Sequence, residues 1–297
     1  MSTRYSLLVA ASLSLCSQSN TMPISEQYAH FRDSHTISHL MAAGADWSFI
    51  ETGSGKQTVV VLPGGGGIDA DCMFPVVAAL ERQYRVIAIG YAPTATTVKE
   101  IVEGVRAILD DRGVGHCCML GHSLGGFVER AFVQACPQRV DSLIIANSAV
   151  YTPGRALLIR VLLPVAIVLP RPVLASAIRS KFKRLLKTLP EPDREFWMSY
   201  VNKSEVMGAK SRGLRSQLRA MLDFIGMPTA PTGWSGRVLI IESAEETGFT
   251  SKERQILRDY HAGAEIHIIA GAGHLSFITH TEEFNEAAAN FLAGAKG

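Results

Sequence analysis

A serine stands at the centre of Gly121-His122-Ser123-Leu124-Gly125, between the apolar run His116-Cys117-Cys118-Met119-Leu120 and a helix-like stretch over 126–135. A G-x-S-x-G between a strand and a helix marks a sharp turn that lifts a serine hydroxyl clear of a sheet. The glycines two residues either side leave room for backbones that would clash with any Cβ. A hydroxyl is a weak nucleophile, so attack on an acyl carbon needs a base, a group to orient that base, and donors for the oxyanion. Without those partners the same five residues would be an ordinary Gly/Ser turn.

The base candidate is His274, in Gly271-Ala272-Gly273-His274, a glycine-rich loop between the last predicted strand and the last predicted helix. His280 lies six residues on, near the helix start, and His122 adjoins the serine as a secondary candidate for lining the site. Oxyanion donors are expected from the backbone N–H of Leu124, aided by the helix N-terminus, and from Gly65 or its neighbour Gly64 after a valine-rich strand. The run Gly64 to Gly67 also suggests a phosphate cradle. No Lys-Ser/Thr follows it and no G-x-G-x-x-G opens a helix there, which argues against nucleotide binding. Three carboxylates, Glu242, Glu245 and Glu246, follow the apolar run 238–241, as catalytic candidates or as a solvated acidic loop.

These residues need a frame, and from about Trp47 apolar runs alternate with helical patterns, as in βαβ units with a mainly parallel sheet. Strands are predicted at 47–52, 58–62, 85–91, 140–146, 237–243 and 265–270, besides the one before Ser123. Helices are predicted at 71–82, 98–111, after Ser123 to near Pro137, and at 251–261 and 281–292. In the second, Ile101, Val102, Val105, Ile108 and Leu109 fit an amphipathic face. The alternation stops at Tyr151 and resumes at Arg237. Between them lie an apolar stretch, 156–169, broken by Arg160 and Pro164, and helical patterns at 174–189 and 213–225. The expected division is an N-terminal extension over 1–46, a core over 47–150 and 235–297, and a helical, basic cap over 151–234, lying above the sheet's carboxyl edge.

A chain of 297 residues with 47% hydrophobic and 19% charged residues can build a sizeable core. It has no uninterrupted run of the ~18 apolar residues a membrane span needs. The net charge of +2 implies no attraction to nucleic acid. Residues 151–225, however, carry 14 Lys and Arg against five Asp and Glu, a local charge of +9. Arg179, Lys181, Lys183, Arg184 and Lys187 cluster there, as a solvated face, a site for an anionic part of an apolar substrate, or a contact with an anionic membrane surface. The 156–169 stretch and Phe196, Trp197, Met198 and Tyr200 are expected to wall an acyl pocket or to pack the cap onto the core.

Five cysteines, two of them adjacent, do not form a disulfide framework, and no Cys/His cluster completes a metal site. At the N-terminus, Arg4 and the apolar 7–15 outline a signal peptide without an A-x-A site, and 13–16 make a poor lipoprotein signal. Met22 is the alternative start. The expected location is cytoplasmic, or secreted or membrane-associated if 1–21 act as a signal.

Pro63-Gly64-Gly65 (where many members have His-Gly), Gly121-His122-Ser123-Leu124-Gly125-Gly126 and Gly273-His274 resemble the motifs of the α/β-hydrolase superfamily, over roughly 47–292. The resemblance implies an α/β fold, a mostly parallel eight-stranded sheet flanked by helices with a cap after the sixth strand. It implies esterase, lipase, thioesterase or related activity with no organic cofactor. It also implies the chain order Ser, acid, His. With Ser243 at the usual glycine position, Glu246 falls where the acid stands, with Glu245 and Glu242 as further candidates; Asn147 and Ser148 leave the alternative acid position, after the strand ending at Ala146, empty. Many members place an Asp and a Gly-rich turn where this chain has Gly90-Tyr91-Ala92-Pro93. That departure, with Arg85-Val86-Ile87-Ala88, Ser123-Leu124-Gly125-Gly126-Phe127 and Ser142-Leu143-Ile144, resembles the maspardin branch, which implies binding without a complete triad. Three expectations result. The first is a serine hydrolase that cleaves a carboxylic ester or thioester of an apolar small-molecule substrate through an acyl-enzyme, with Ser123, His274 and Glu246 as triad and Gly65 and Leu124 as oxyanion donors. The others are a non-catalytic adaptor, and a lyase or isomerase using the same triad.

Overall fold

Strand β3, Thr58–Leu62, is buried along its whole length. Val59 and Val61 pack into one hydrophobic cluster, Val60 and Leu62 into another on the opposite face. A strand covered on both sides reads as an unbroken apolar run, which is why it is so plain in the sequence. Fully burying each such side chain contributes roughly 1.5–3 kcal/mol. The computed structural model describes residues 22–65, 69–203, 213–225 and 234–294. The signal-like stretch 1–21 and two members of the glycine run, Gly66 and Gly67, lie outside the described residues.

Eight strands form one sheet in the order β1-β2-β4-β3-β5-β6-β7-β8. They are β1 Ile37–Ala42, β2 Ala45–Thr52, β3, β4 Arg85–Ile89, β5 Cys117–His122, β6 Val140–Ala146, β7 Arg237–Ser243 and β8 Glu265–Ile269. The pairs β1–β2 and β2–β4 are antiparallel and the rest parallel. On one face pack α1 Ile24–Ser34, α2 Phe74–Leu80, the short α10 Ser276–Thr279 and the C-terminal α11 Thr281–Ala293. On the other pack α3 Val98–Asp111, α4 Leu124–Ala135 and α9 Ser251–Tyr260. Capping boxes, Thr97 with Glu100 and Thr250 with Glu253, start α3 and α9. Cys117 and Cys118 point to opposite faces, one in each cluster, and are free thiols.

The N-terminal boundary at 47 requires correction. Residues 37–42 are an edge strand of the sheet, and α1 buries Phe31 against α2. The hairpin between β1 and β2 turns on Ala43 and Gly44, both at positive φ (51° and 73°). Such turns are usually announced by Asn-Gly or Asp-Gly. An alanine in that conformation announces nothing. The helix predicted over 71–82 is a short turn, Ala70–Met73, followed by α2.

The described residues of the cap form α5 Pro153–Val168, α6 Arg171–Leu185, α7 Glu191–Lys203 and α8 Gly213–Phe224. Helix α7 was not anticipated, and it reassigns the expected aromatic wall. Trp197 stacks on Phe74, and Tyr28 packs edge-on against Tyr200 and at a tilt against Phe196. Met198 packs against the same cluster. Tyr28 and Tyr200 both donate to the Asp71 carboxylate. These residues anchor the cap to α1 and α2 rather than lining the space above Ser123. The 156–169 stretch does not line that space either, since α5 has no buried residue.

Candidate active site

Ser123 links β5 to α4 with φ 52° and ψ −107°, a conformation that L-residues adopt only under constraint. The constraint is local. The Ser123 N–H donates to the Ala146 carbonyl (2.8 Å) and the Ser123 carbonyl accepts from Gly126 N–H (3.1 Å). The crossing is also tight. A Cβ on Gly121 would lie 2.4 Å from the Gly125 carbonyl carbon, and one on Gly125 would lie 2.3 Å from the Leu62 carbonyl oxygen. The two glycines flanking the serine are therefore demanded by backbone contact.

The loop after β8 brings His274 over this turn. Its Nδ1 lies 2.8 and 3.0 Å from the two Glu246 oxygens, and its Nε2 lies 3.0 Å from Ser123 Oγ. An ionised carboxylate only accepts, so Nδ1 carries the proton and donates it; Nε2 is then free to accept from the serine hydroxyl. Both side chains are sequestered, His274 with 6% and Glu246 with 1% of the side chain exposed. Burial pushes the Glu246 pKa up. The hydrogen bond and charge of His274, with donors Asn147 Nδ2 (2.9 Å) and Gly248 N–H (2.5 Å), outweigh it and hold the carboxyl at about 2.

The other two carboxylates go elsewhere. Glu242, buried at the end of β7, accepts from Arg254 and Arg258 and clamps α9 to the sheet. Glu245 is exposed, with its N–H donating to the Ala272 carbonyl. His122 is buried beneath His274, and its Nε2 donates to the His274 carbonyl (2.8 Å). Burial and the neighbouring imidazole lower its pKa to about 3, so it stays neutral and supports the histidine loop from below. His280 immediately precedes α11 and makes no side-chain capping hydrogen bond there; its Nδ1 lies 3.0 Å from Thr279 Oγ1.

Leu124 is the first residue of α4, where backbone N–H groups have no acceptor within the helix. Gly65 lies alongside it, its Cβ position being 3.2 Å from Leu124 Cδ2. The loop carrying Gly64 and Gly65 is tied down by Tyr91, whose buried hydroxyl donates to the Pro63 carbonyl (2.9 Å). Asn147, read from sequence as an empty acid position, sits at φ 44° and joins three residues. It donates to Glu246 and to Ser243 Oγ (2.7 Å), and accepts from Ser276 Oγ (2.5 Å). The signal available was that asparagine tolerates left-handed backbone directly after a strand.

Above these groups is a cavity of about 200 Å³. Its floor includes Gly64, Gly65, His122, Ser123, Leu124 and His274. Phe127, Tyr151 and Phe249 wall it from the core, and Ile178, Phe182, Leu185, Leu214, Leu218 and Met221 from α6 and α8. Lys181, at the solvent-facing rim, is the one Lys or Arg among the described lining residues. Among the described residues no group of three His, Cys, Asp or Glu side chains is gathered as metal ligands would be.

The chain has relatives. A protein of Variovorax paradoxus that carries the provisional name carbamate hydrolase RutD is 26% identical over 255 residues, 80% of this chain and 92% of that one. Maspardin of Homo sapiens is 32% identical over 133 residues, so the match covers 42% of each chain, less than half of maspardin's length. The solved structure of a thermophilic esterase from Thermogutta terrifontis superposes with a TM-score of 0.71 at 17% identity, covering 88% of this chain and 100% of the other. That likeness concerns the fold alone. The sequence pattern of the alpha/beta hydrolase family matches residues 59–287, the span that runs from β3 through every side chain just described. The chain belongs to the alpha/beta hydrolase family.

Proposed function

We propose that the protein is a serine hydrolase that cleaves a small apolar carboxylic ester or thioester through an acyl-enzyme. The observation that carries this reading is the chain of hydrogen bonds Ser123–His274–Glu246 at the floor of an apolar cavity. In the first half-reaction His274 Nε2 takes the Ser123 proton as Oγ attacks the acyl carbon. The oxyanion forms against the Leu124 and Gly65 N–H groups, each worth roughly 2.7–4 kcal/mol of transition-state stabilisation in comparable sites. The intermediate collapses, the bond to the alcohol or thiol breaks, and the imidazolium hands its proton to that leaving group. Water then repeats the sequence: His274 deprotonates it, its oxygen attacks the acyl carbon, and the Ser123–acyl bond breaks with return of the proton to Oγ. Glu246 keeps its charge throughout and holds the imidazole in the one tautomer that can act.

Size and lining narrow the substrate. At about 200 Å³ the cavity falls below the roughly 300–1,000 Å³ of sites for drug-sized ligands, which favours a short acyl group. Its aliphatic and aromatic walls favour an uncharged acyl chain, and Lys181 places any anionic substituent at the rim. A series of nitrophenyl esters and matching thioesters of increasing acyl length tests the reading. The expected result is a burst of leaving group equal to the enzyme concentration, with kcat/KM falling once the chain outgrows the cavity. Products formed without net addition of water would replace the hydrolase with a lyase or isomerase.

Asn147 is a positioning residue in this scheme. Asn147→Ala removes one donor to a buried carboxylate, a loss of about 1.5–3 kcal/mol, or roughly 10–100-fold in kcat. KM should stay near its wild-type value, because Asn147 does not line the cavity. Asn147→Asp should do worse than Asn147→Ala, since it sets a second carboxylate against Glu246. Equal kcat for all three proteins would remove Asn147 from the scheme.

A further inference from the structure

Helix α5 turns an aliphatic face to solvent. Seven of the twelve exposed large hydrophobic side chains among the described residues lie on it or just beyond it. Leu157, Leu158, Val161, Leu162 and Val165 are 55–63% exposed, and at the corner into α6 Val168 is 77% and Val173 51% exposed. The spacing 157/158, 161/162, 165, 168 is that of one helical stripe. Single exposed aliphatics are ordinary on a protein surface, but a contiguous ridge marks an interaction site. The helix has 16 residues, too short to cross a bilayer, and no helix among the described residues is long and apolar enough to do so. Lying along an interface is what it suits.

The charge around the ridge selects the partner. Residues 151–190 contain eight Lys and Arg and not one Asp or Glu, whereas the rest of the chain carries 21 Lys and Arg against 27 Asp and Glu. Arg160 on α5, and Lys183, Arg184 and Lys187 at the end of α6, are exposed. A protein partner or a second copy of this chain would place an apolar face on the ridge but gives no reason for a forty-residue stretch free of carboxylates. An aliphatic stripe that carries Arg160, within a stretch rich in cations and free of carboxylates, matches the surface of an anionic bilayer, which takes apolar side chains below its headgroups and concentrates positive charge above them. We propose that α5 and the α5–α6 corner dock the protein on an anionic lipid surface. Helix α6 joins this face to the catalytic cavity, since Ile178, Phe182 and Leu185 line the cavity while Lys183 and Lys187 face outward. Docking therefore sets the cavity at the lipid–water boundary, where apolar esters concentrate.

Co-sedimentation of the full chain with vesicles tests this without any need for catalysis, so failure of the hydrolase reading leaves it intact. The vesicles are phosphatidylcholine alone, or with about 30% phosphatidylglycerol, at about 0.1 and 0.5 M salt. The wild type should pellet with the anionic vesicles at low salt and be released at high salt. Leu158→Asp/Leu162→Asp and, separately, Arg160→Glu/Lys183→Glu/Lys187→Glu should each weaken binding at least tenfold with unchanged Tm. Should the first variant fail to fold, the charge variant decides alone. No binding by the wild type, binding that either folded variant retains, or binding indifferent to lipid charge overturns the proposal. A wild-type dimer that Leu158→Asp/Leu162→Asp converts to a monomer overturns it too, and gives the ridge to a second copy.

Discussion

Ser123→Ala is expected to lower kcat by about six orders of magnitude and to abolish covalent capture by a fluorophosphonate, while leaving Tm within a few degrees of the wild type. The size follows from the mechanism: without Oγ no acyl-enzyme forms, and only binding and the oxyanion donors remain, worth ~10³–10⁴ over water. The fold should survive, because alanine keeps the Cβ and the strained turn is held by backbone hydrogen bonds that the substitution does not touch. Ser123→Gly is a useful companion. Glycine adopts φ 52° without strain, so this variant should be equally dead yet more stable than Ser123→Ala. Intact-mass spectrometry after labelling reads the adduct directly, and thermal melting reads the fold. A folded wild type that takes no label and turns over no ester, with Ser123→Ala indistinguishable from it, would replace the hydrolase reading with a non-catalytic binding protein.

The parts of this molecule that sequence could reveal are those where one residue type is demanded by backbone contact or by burial on both faces. Gly121 and Gly125 belong to the first kind, with neighbouring backbone atoms where a side chain would be. The inner parallel strands belong to the second, and the predicted bounds of β3, β6 and β7 coincide with the observed ones. Edge strand β1 has neither mark. It is half-exposed, and its turn uses Ala43 where asparagine would have been a signal. The acid was ambiguous for a different reason. Three glutamates lie within five residues, and what selects among them is tertiary. Ala244 N–H donates to the Ile269 carbonyl and Glu245 N–H to the Ala272 carbonyl, pinning the loop so that Glu246 turns inward. Two arginines on α9 meanwhile claim Glu242. In the cap, the sequence pattern did not reveal α7, and only the folded chain shows that Trp197, Tyr200 and Val201 are buried together against α1 and α2.

Glu246→Gln should cost about 10⁴ in kcat, on the scale seen when the orienting carboxylate of such a triad becomes an amide. The present geometry supplies the reason. Both Glu246 oxygens already accept, one from Gly248 N–H, the other from Asn147 Nδ2, and both face His274 Nδ1. A glutamine must turn its NH₂ toward one of these donors or toward Nδ1. In the second case it forces the proton onto Nε2, which can then no longer accept from Ser123. The two other glutamates act as controls of opposite character. Glu245→Gln should change nothing, being exposed. Glu242→Gln should lower Tm by unpairing Arg254 and Arg258, with a far smaller effect on kcat. The pH dependence separates the roles further. Because the folded-state pKa of Glu246 is depressed, from an ordinary 4.5 to about 2, its charged form contributes stability that is fully present above about pH 4.5. That contribution is lost as the pH falls through about 2. Between those values the wild type should lose stability more steeply than Glu246→Gln, which has nothing to titrate there. Parallel acid-unfolding curves for the two proteins, or a loss of turnover that follows Glu245→Gln instead, would remove Glu246 from the role of orienting His274.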